Sequence, residues 1–223
     1  MTHQDPDFRY IIEGTGRVLP TSFTPPPSRL LPHDMFEEVS LPDAREADIR
    51  LVYHEDFDQL LIFTNGYFRA RDSLGSWAFA FNFTQGGTVS GRLERRGPFG
   101  DEHRQSPRRA HLRAILAALR YRPWHLEGFT SIVIATTSEE LHAIATYRIR
   151  SWITRGWRYE RGGLTPHSDL WKALLGEVEK YHDRGLSIYF WNVHHPFDTT
   201  YSSAVLAAYR GGDVDDFTKP DVV

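Results

Sequence analysis

Leu60-Leu61-Ile62-Phe63-Thr64-Asn65-Gly66 is the stretch of sequence that decides the fold of this chain. It is a short continuous apolar run that stops at Asn-Gly, a dipeptide typical of tight turns, so it predicts a buried strand followed by a sharp turn. The next apolar run, 75–83, places an aromatic residue at every second position from Trp77 to Phe83. Such alternation predicts a second strand. Together the two runs predict an antiparallel hairpin at the centre of a sheet.

The chain beyond the hairpin alternates helical and strand patterns. A third strand is predicted at 87–93, and further buried strands at 131–136 and 186–193. Helices are predicted to begin after Ser106 and Ser138, which are placed as N-caps, and further helices at about 169–181 and 199–209. This order predicts an α/β fold with a mixed five-stranded sheet, in which three antiparallel strands are followed by two parallel ones and helices cover both faces.

The composition divides the chain into three segments. Residues 1–50 are rich in proline. Proline fixes the backbone angle φ and removes a hydrogen-bond donor, so this segment is predicted to be an extended arm. The arm either packs on the domain or is a loose linker. Residues 51–212 hold the predicted domain. Residues 213–223 form an acidic C-terminal tail, which is expected to be frayed.

The residue types that are absent exclude several classes of protein. There is no cysteine, so disulfides, thiolate metal sites and cysteine nucleophiles are excluded. No apolar run approaches the roughly 20 residues that span a bilayer, and the first residues lack the pattern of a signal peptide. The sequence therefore predicts a cytoplasmic or nuclear protein that does not use a membrane.

The charges are distributed unevenly along the chain. The formal net charge is -3, yet residues 92–161 contain fourteen arginines against seven acidic residues. A basic middle segment between acidic ends is compatible with a surface that binds a polyanion. It is equally compatible with a surface that the chain neutralises by its own contacts.

Several separated motifs of the chain match those of one known protein family in their order and spacing. The chain resembles the ribonuclease H family, which cuts the RNA strand of an RNA–DNA hybrid, over about 59–212. The matching pieces are Phe63-Thr64-Asn65-Gly66, Arg109-Ala110-His111-Leu112, Ala135-Thr136-Thr137-Ser138, Trp152, Gly156-Trp157, Asp169-Leu170-Trp171 and Ser203-Ala204-Val205-Leu206-Ala207. The resemblance implies a ribonuclease H-like fold.

The resemblance also implies where a nuclease of this family would hold its metal ions. Two Mg²⁺ ions about 4 Å apart require anionic oxygen ligands at four positions. In this chain the four matching positions are Asn65, His111, Thr137 and Ala204, none of which carries a carboxylate. We therefore expect a catalytically inactive, metal-independent pseudo-nuclease that needs no metal ion and no cofactor.

Neighbouring acidic residues could in principle replace the missing carboxylates. Glu139 and Glu140 follow Thr137, Asp72 lies in the predicted hairpin turn, and Asp198 lies in the last loop. Charges of this kind are usual in the first turn of a helix and in solvated loops. We therefore expect them to have structural roles.

One hypothesis keeps nucleic-acid binding without cutting. The family binds phosphates with a basic helix and loop that follow its fourth strand. The similar region of this chain contains arginines, which can form paired hydrogen bonds with a phosphate, and tryptophans, which can stack on a sugar or base. A competing interpretation places the tryptophans in the core. The small net charge predicts weak binding of an RNA–DNA hybrid or another nucleic acid. The candidate residues are Arg148, Arg150, Trp152, Arg155, Trp157 and Arg158.

Two further hypotheses do not involve nucleic acid. The old active-site cleft could be reused for metal-independent acid/base chemistry on a small molecule, or the domain could be a scaffold for protein partners or a homodimer. Zinc bound by histidines lacks support because no tight ligand spacing is present. The candidate residues for a reused cleft are Asn65, His111, Thr137, Ser138, His194 and His195.

Overall fold

The structure is a computed structural model that describes residues 10–27, 31–41, 48–160, 162–195, 197–210 and 212–220. The predicted arm and tail thus fall partly outside the described residues. No helix within these ranges is both long and apolar enough to cross a membrane.

The strands are β1 (Thr21–Ser22), β2 (Phe36–Ser40), β3 (Ile49–Tyr53), β4 (Asp56–Arg69), β5 (Leu74–Ala80), β6 (Thr88–Arg92), β7 (Ser131–Thr136) and β8 (Ser187–Asn192). The helices are α1 (Pro107–Tyr121), α2 (Glu139–Ala143), α3 (Ile149–Thr154), α4 (Ser168–His182) and α5 (Asp198–Tyr209).

Strand β4 is the centre of the sheet. It pairs antiparallel with β5, which pairs antiparallel with β6. On its other side β4 pairs parallel with β7, which pairs parallel with β8. These five strands have the predicted order, three antiparallel strands followed by two parallel ones. The mixed α/β sheet that the sequence predicts is therefore confirmed.

The sheet is larger than predicted, since the described residues contribute eight strands to it. β1 pairs parallel with β8 at one edge, whereas β3 pairs antiparallel with β4 and β2 pairs with β3. The length of β4 explains the addition, because its first half extends beyond β5 and leaves backbone groups that β3 can pair. Two of the added strands, β1 and β2, come from the proline-rich segment, whose described residues therefore lie against the domain.

Asn65 and Gly66 do not form the turn that the sequence predicts. They lie inside β4, opposite Ala78 and Trp77 of β5, and the chain turns only at 70–73. A Cβ atom on Gly66 would lie 2.2 Å from the backbone nitrogen of His111. The glycine therefore allows α1 to approach the sheet closely, which explains its presence within a strand.

The second strand is also shorter than predicted. β5 ends at Ala80, and Phe83 is 40% exposed, whereas Trp77, Phe79 and Phe81 are buried as the alternation predicts.

Helices cover both faces of the sheet, as predicted. Leu60 and Ile62 of β4 belong to the large apolar core that includes residues of α1 and α4. Leu61 and Phe63, which point to the opposite face, belong to a second cluster. Helix α5 lies on this second face, where the carbonyl of Ala204 accepts a hydrogen bond from Ser76 Oγ.

The helix starts agree with the sequence. Ser106 Oγ accepts a hydrogen bond from the Arg109 N–H, and Ser138 Oγ accepts one from the Leu141 N–H. The predicted second helix is interrupted by a π-helical turn at Ile144–Arg148, which separates α2 from α3.

The described part of the acidic tail is ordered against the domain. The backbone N–H groups of Arg95 and Arg96 donate to the carbonyls of Val214 and Asp215, both at 2.9 Å. The ring of Phe217 lies 4.2 Å from the guanidinium of Arg113. The expectation of a frayed tail is therefore wrong for residues 212–220, because sequence composition does not show which surface an acidic segment can meet.

Candidate functional site

The carboxyl ends of β4 and β7 carry two of the four positions that the sequence analysis compared with a metal site. The parallel pairing of these strands ends at Thr64 and Thr136. Asn65 and Thr137 are the next residues on the two strands, so the pairing register brings them to the same edge. The structure therefore brings together two of the four positions that the sequence comparison singled out.

Asn65 lies on the face of the sheet that α5 covers. It is 3% exposed and stands opposite Ala78 of β5. Ala204 of α5 is fully buried, and its carbonyl accepts the hydrogen bond from Ser76 on β5. A methyl group offers no ligand atom, so this helix contributes no metal-binding side chain at Ala204.

His111 belongs to α1, which packs on the opposite face of the sheet, and its side chain is hydrogen-bonded to the backbone of β4. Beyond Thr64 the edge of β4 has no partner in β7, and the Gly66 N–H donates there to His111 Nδ1 at 3.1 Å. Burial lowers the pKa of the imidazole to about 4. His111 is therefore neutral at pH 7, and because Nδ1 accepts a hydrogen bond, its proton lies on Nε2.

Ser138 has a structural role at the start of α2. Its Oγ caps the helix, and its own N–H donates to Thr136 Oγ1 at 3.2 Å. Thr137, between these residues, is partly buried.

His194 and His195 lie farther away along the same edge. Both are exposed and follow β8. β7 lies between β8 and β4, which separates the axes of β8 and β4 by about 10 Å. Asn65, Thr137 and the contact of His111 with Gly66 thus lie at the ends of two adjacent strands, and the two late histidines follow a strand two positions from β4.

Acidic side chains do not gather at this edge. Among the described residues, no group of three or more His, Asp or Glu side chains is placed to hold a metal ion. Asp72 pairs with Arg69 and Glu140 pairs with Arg108. Glu139 and Asp198 are exposed in the first turns of α2 and α5. These placements agree with the structural roles expected for the nearby acids.

The candidate nucleic-acid-binding residues fall into two groups. Arg148, Arg150 and Arg158 are exposed, and no carboxylate of the described residues pairs with them. Arg155, in contrast, pairs with Glu160 at 2.7 Å. The first three guanidinium groups are therefore available to an anion.

The two tryptophans of this region are less available. Trp152 is 8% exposed, and its ring packs edge-to-face against Trp171 and Tyr159. Trp157 is partly buried and has a φ of 64°. Their placement agrees with the interpretation of these residues as packing residues.

Much of the remaining basic segment is neutralised within the chain. The aspartates of the C-terminal segment pair with Arg92, Arg95 and Arg96. Sequence reasoning did not single out these three arginines. The available signal was the opposite charge of the middle and the end of the chain, which indicates complementarity but not the place of contact.

Comparisons with known proteins identify the fold. No protein-family model matches the chain. A curated protein named ribonuclease H, from Chromohalobacter salexigens, is 25% identical over 126 residues, which cover 56% of this chain and 70% of that protein. The structure of the foamy viral protease–reverse transcriptase in complex with an RNA/DNA hybrid is 15% identical with a TM-score of 0.50, covering 86% of this chain and 22% of that one.

A further similar structure is ribonuclease H1 from the archaeon Halobacterium salinarum. It is 17% identical, with a TM-score of 0.41, covering 67% of this chain and 96% of that one. The resemblance to the ribonuclease H family and the ribonuclease H-like fold, both predicted from the sequence, are confirmed.

Proposed function

We propose that this chain, which has the ribonuclease H-like fold, is a pseudo-nuclease that binds nucleic acid weakly and does not cut RNA by the two-metal mechanism. The observation that carries the proposal is the chemistry of the strand-end edge. Asn65, His111 and Thr137 supply an amide, a neutral imidazole and a hydroxyl group there, and Ala204 on α5 offers only a methyl group. None of these attracts two adjacent divalent cations as carboxylates do.

The hydrogen bond of His111 also bears on the alternative of a repurposed enzyme. A general base needs a nitrogen lone pair that can reach the substrate. Nδ1 of His111 is engaged by the Gly66 N–H, and Nε2 carries the proton. The imidazole can therefore donate a hydrogen bond but cannot accept a proton without breaking its contact with β4. This geometry disfavours His111 as a general base.

Nucleic-acid binding is supported by the exposed arginines near α3. Arg148 and Arg150 have no carboxylate partner among the described residues, so an incoming phosphate does not have to displace one. The guanidinium group presents paired donors that match phosphate oxygens. The foamy viral protein of similar fold is bound to an RNA/DNA hybrid in its structure, so a hybrid is the first ligand to test.

The test is fluorescence anisotropy of a labelled RNA–DNA hybrid with the full chain at several salt concentrations. We expect weak binding that falls as salt rises, because phosphate contacts release counterions. Replacing Arg148 and Arg150 by glutamine should weaken binding and reduce the slope of log K against log salt by about 2, roughly one for each lost phosphate contact.

A matched control is the double variant Arg71→Gln and Arg104→Gln, which removes the same charge from two exposed arginines elsewhere. We expect the control to change the slope much less. The proposal fails if the chain shows no salt-dependent binding, or if the two double variants lose the same affinity. Protein scaffolding and dimerisation stay predictions from the sequence.

A further inference from the structure

Three arginines at the end of β6 and just beyond it form a basic surface that we call the arginine edge: Arg92, Arg95 and Arg96. Arg92 Nη1 donates to the carbonyl of Ala208 at 2.6 Å, so the edge lies beside the last turn of α5. Arg95 and Arg96 are about half exposed. The edge therefore adjoins the helix that carries Ala204, one of the four former metal-site positions.

The acidic segment 213–216 occupies this edge. Asp213 contacts Arg92 at 3.3 Å and also contacts Arg95. Asp216 lies 2.8 Å from Arg96, and Asp215 lies 3.4 Å from Arg95. Each carboxylate thus sits where a phosphate oxygen would bind the same guanidinium group.

The segment is anchored by contacts other than these ion pairs. Two backbone hydrogen bonds join it to Arg95 and Arg96. Beyond them, Phe217 packs on Arg113 and the carbonyl of Thr218 accepts a hydrogen bond from Arg113 Nη2 at 2.7 Å. Pro220 is buried. The chain position of the segment therefore does not depend on its carboxylates.

The ion pairs of Arg95 and Arg96 are weak enough to exchange because both partners are exposed, whereas the Arg92 side chain is 8% exposed. The side chains of Asp213, Asp215 and Asp216 are 51%, 63% and 76% exposed. Pairs at exposed positions contribute about 0.2–1 kcal/mol each and weaken with salt. A polyanion that offers several phosphates at once can compete with them, because its contacts act together.

We propose that the acidic C-terminal segment is an intramolecular competitor, which masks the arginine edge against the phosphate backbone of a nucleic acid. This inference rests on the proposed function, since it concerns the affinity of the same chain for nucleic acid. It assigns the arginine edge as a second phosphate-binding surface besides the arginines near α3. It is consistent with the weak binding that the small net charge predicts.

The test neutralises the carboxylates and keeps the anchors. The triple variant Asp213→Asn, Asp215→Asn and Asp216→Asn leaves the backbone contacts, Phe217 and Pro220 in place. We expect it to bind the labelled hybrid about tenfold more tightly at low salt, as the loss of several weak competing pairs would give. Adding Arg95→Gln and Arg96→Gln to this variant should abolish the gain.

The charge control is the triple variant Glu37→Gln, Asp56→Asn and Asp58→Asn, which changes the net charge equally at exposed positions on β2 and β4. If this control gains as much affinity as the tail variant, the gain is a net-charge effect and the inference is overturned. It is also overturned if the tail variant binds like the unmodified chain.

The two proposals fail in different ways. If the arginines near α3 contribute to binding and the tail variant gains nothing, the masking is wrong and the proposed function stands. If neither the chain nor any variant binds the hybrid, both are wrong.

Discussion

The inner side of α1 and the strand-end edge use charge in opposite ways. On the inner side, three buried arginines of α1 each bind a carboxylate from another element: Arg109 binds Asp169, Arg113 binds Glu94 and Arg120 binds Glu177. At the strand-end edge, the same helix contributes one neutral histidine, His111. The buried acids of this chain thus join its elements, whereas the described residues place no cluster of acidic side chains at the strand-end edge.

The two regions also differ in what a substitution should do. A buried ion pair fails when one partner is removed, because the other charge is left without compensation. Replacing one side chain in a neutral site leaves no uncompensated charge. Substitutions on the inner side of α1 should therefore change stability strongly, and those at the strand-end edge should change it through packing or pH.

The largest expected effect comes from breaking a buried pair. Arg113 donates three hydrogen bonds to Glu94, and both side chains are at most 2% exposed. Glu94→Gln should lower the free energy of unfolding by about 3–5 kcal/mol, as measured by denaturant titration. Glu140→Gln, in the more exposed pair with Arg108, should cost less than about 1 kcal/mol. Equal losses would remove the distinction between buried and exposed pairs.

A smaller effect is expected where α1 meets β4. Gly66→Ala would place a methyl group 2.2 Å from the backbone nitrogen of His111, so the helix must shift. We expect a loss of about 3 kcal/mol from overpacking. Gly86→Ala is the control, because the nearest atom to its new Cβ is 3.8 Å away. If Gly66→Ala unfolds at the same denaturant concentration as the control, the close approach of helix and strand is wrong.

The smallest effect is a pH dependence at His111. Its pKa is lowered in the folded state from 6.5 to about 4, so between these values the unfolded chain binds more protons. The free energy of unfolding is therefore highest above pH 6.5 and decreases as the pH falls towards 4. The decrease due to His111 is at most about 3 kcal/mol.

The variant His111→Asn isolates this contribution. Asn keeps an acceptor at the δ position for the Gly66 N–H but does not titrate. Unfolding curves at pH 7 and pH 5 should show a smaller loss of stability for the variant than for the unmodified chain. His167, whose pKa is also lowered to about 4, titrates in both proteins and cancels in the difference. Identical losses would contradict a neutral, buried His111.

Local signals in the sequence predicted the helices and the central strands well. Ser106 and Ser138 were recognisable as caps because capping depends on residues within one turn. The run 131–136 was recognisable as a buried parallel strand because all its residues are apolar or small, and the structure buries each of them.

Features that depend on distant contacts were not predictable in the same way. Asn65-Gly66 is a turn dipeptide, but pairing with β5 and the approach of α1 hold it within a strand. β1 and β2 lie in a proline-rich segment whose pairing depends on β8 and β3. The lack of a carboxylate at Asn65, His111, Thr137 and Ala204 is visible in the sequence, whereas the hydrogen bond between Gly66 and His111 depends on the fold.

The most direct test of the central claim is cleavage of a labelled RNA–DNA hybrid by the full chain with Mg²⁺ or Mn²⁺, with an active ribonuclease H as the positive control. The absence of a carboxylate at Asn65, His111, Thr137 and Ala204 predicts that the RNA strand stays intact at protein concentrations that saturate binding. Metal-dependent cleavage that is lost in Asn65→Ala or His111→Ala would contradict the account, because this edge would then be a working nuclease site.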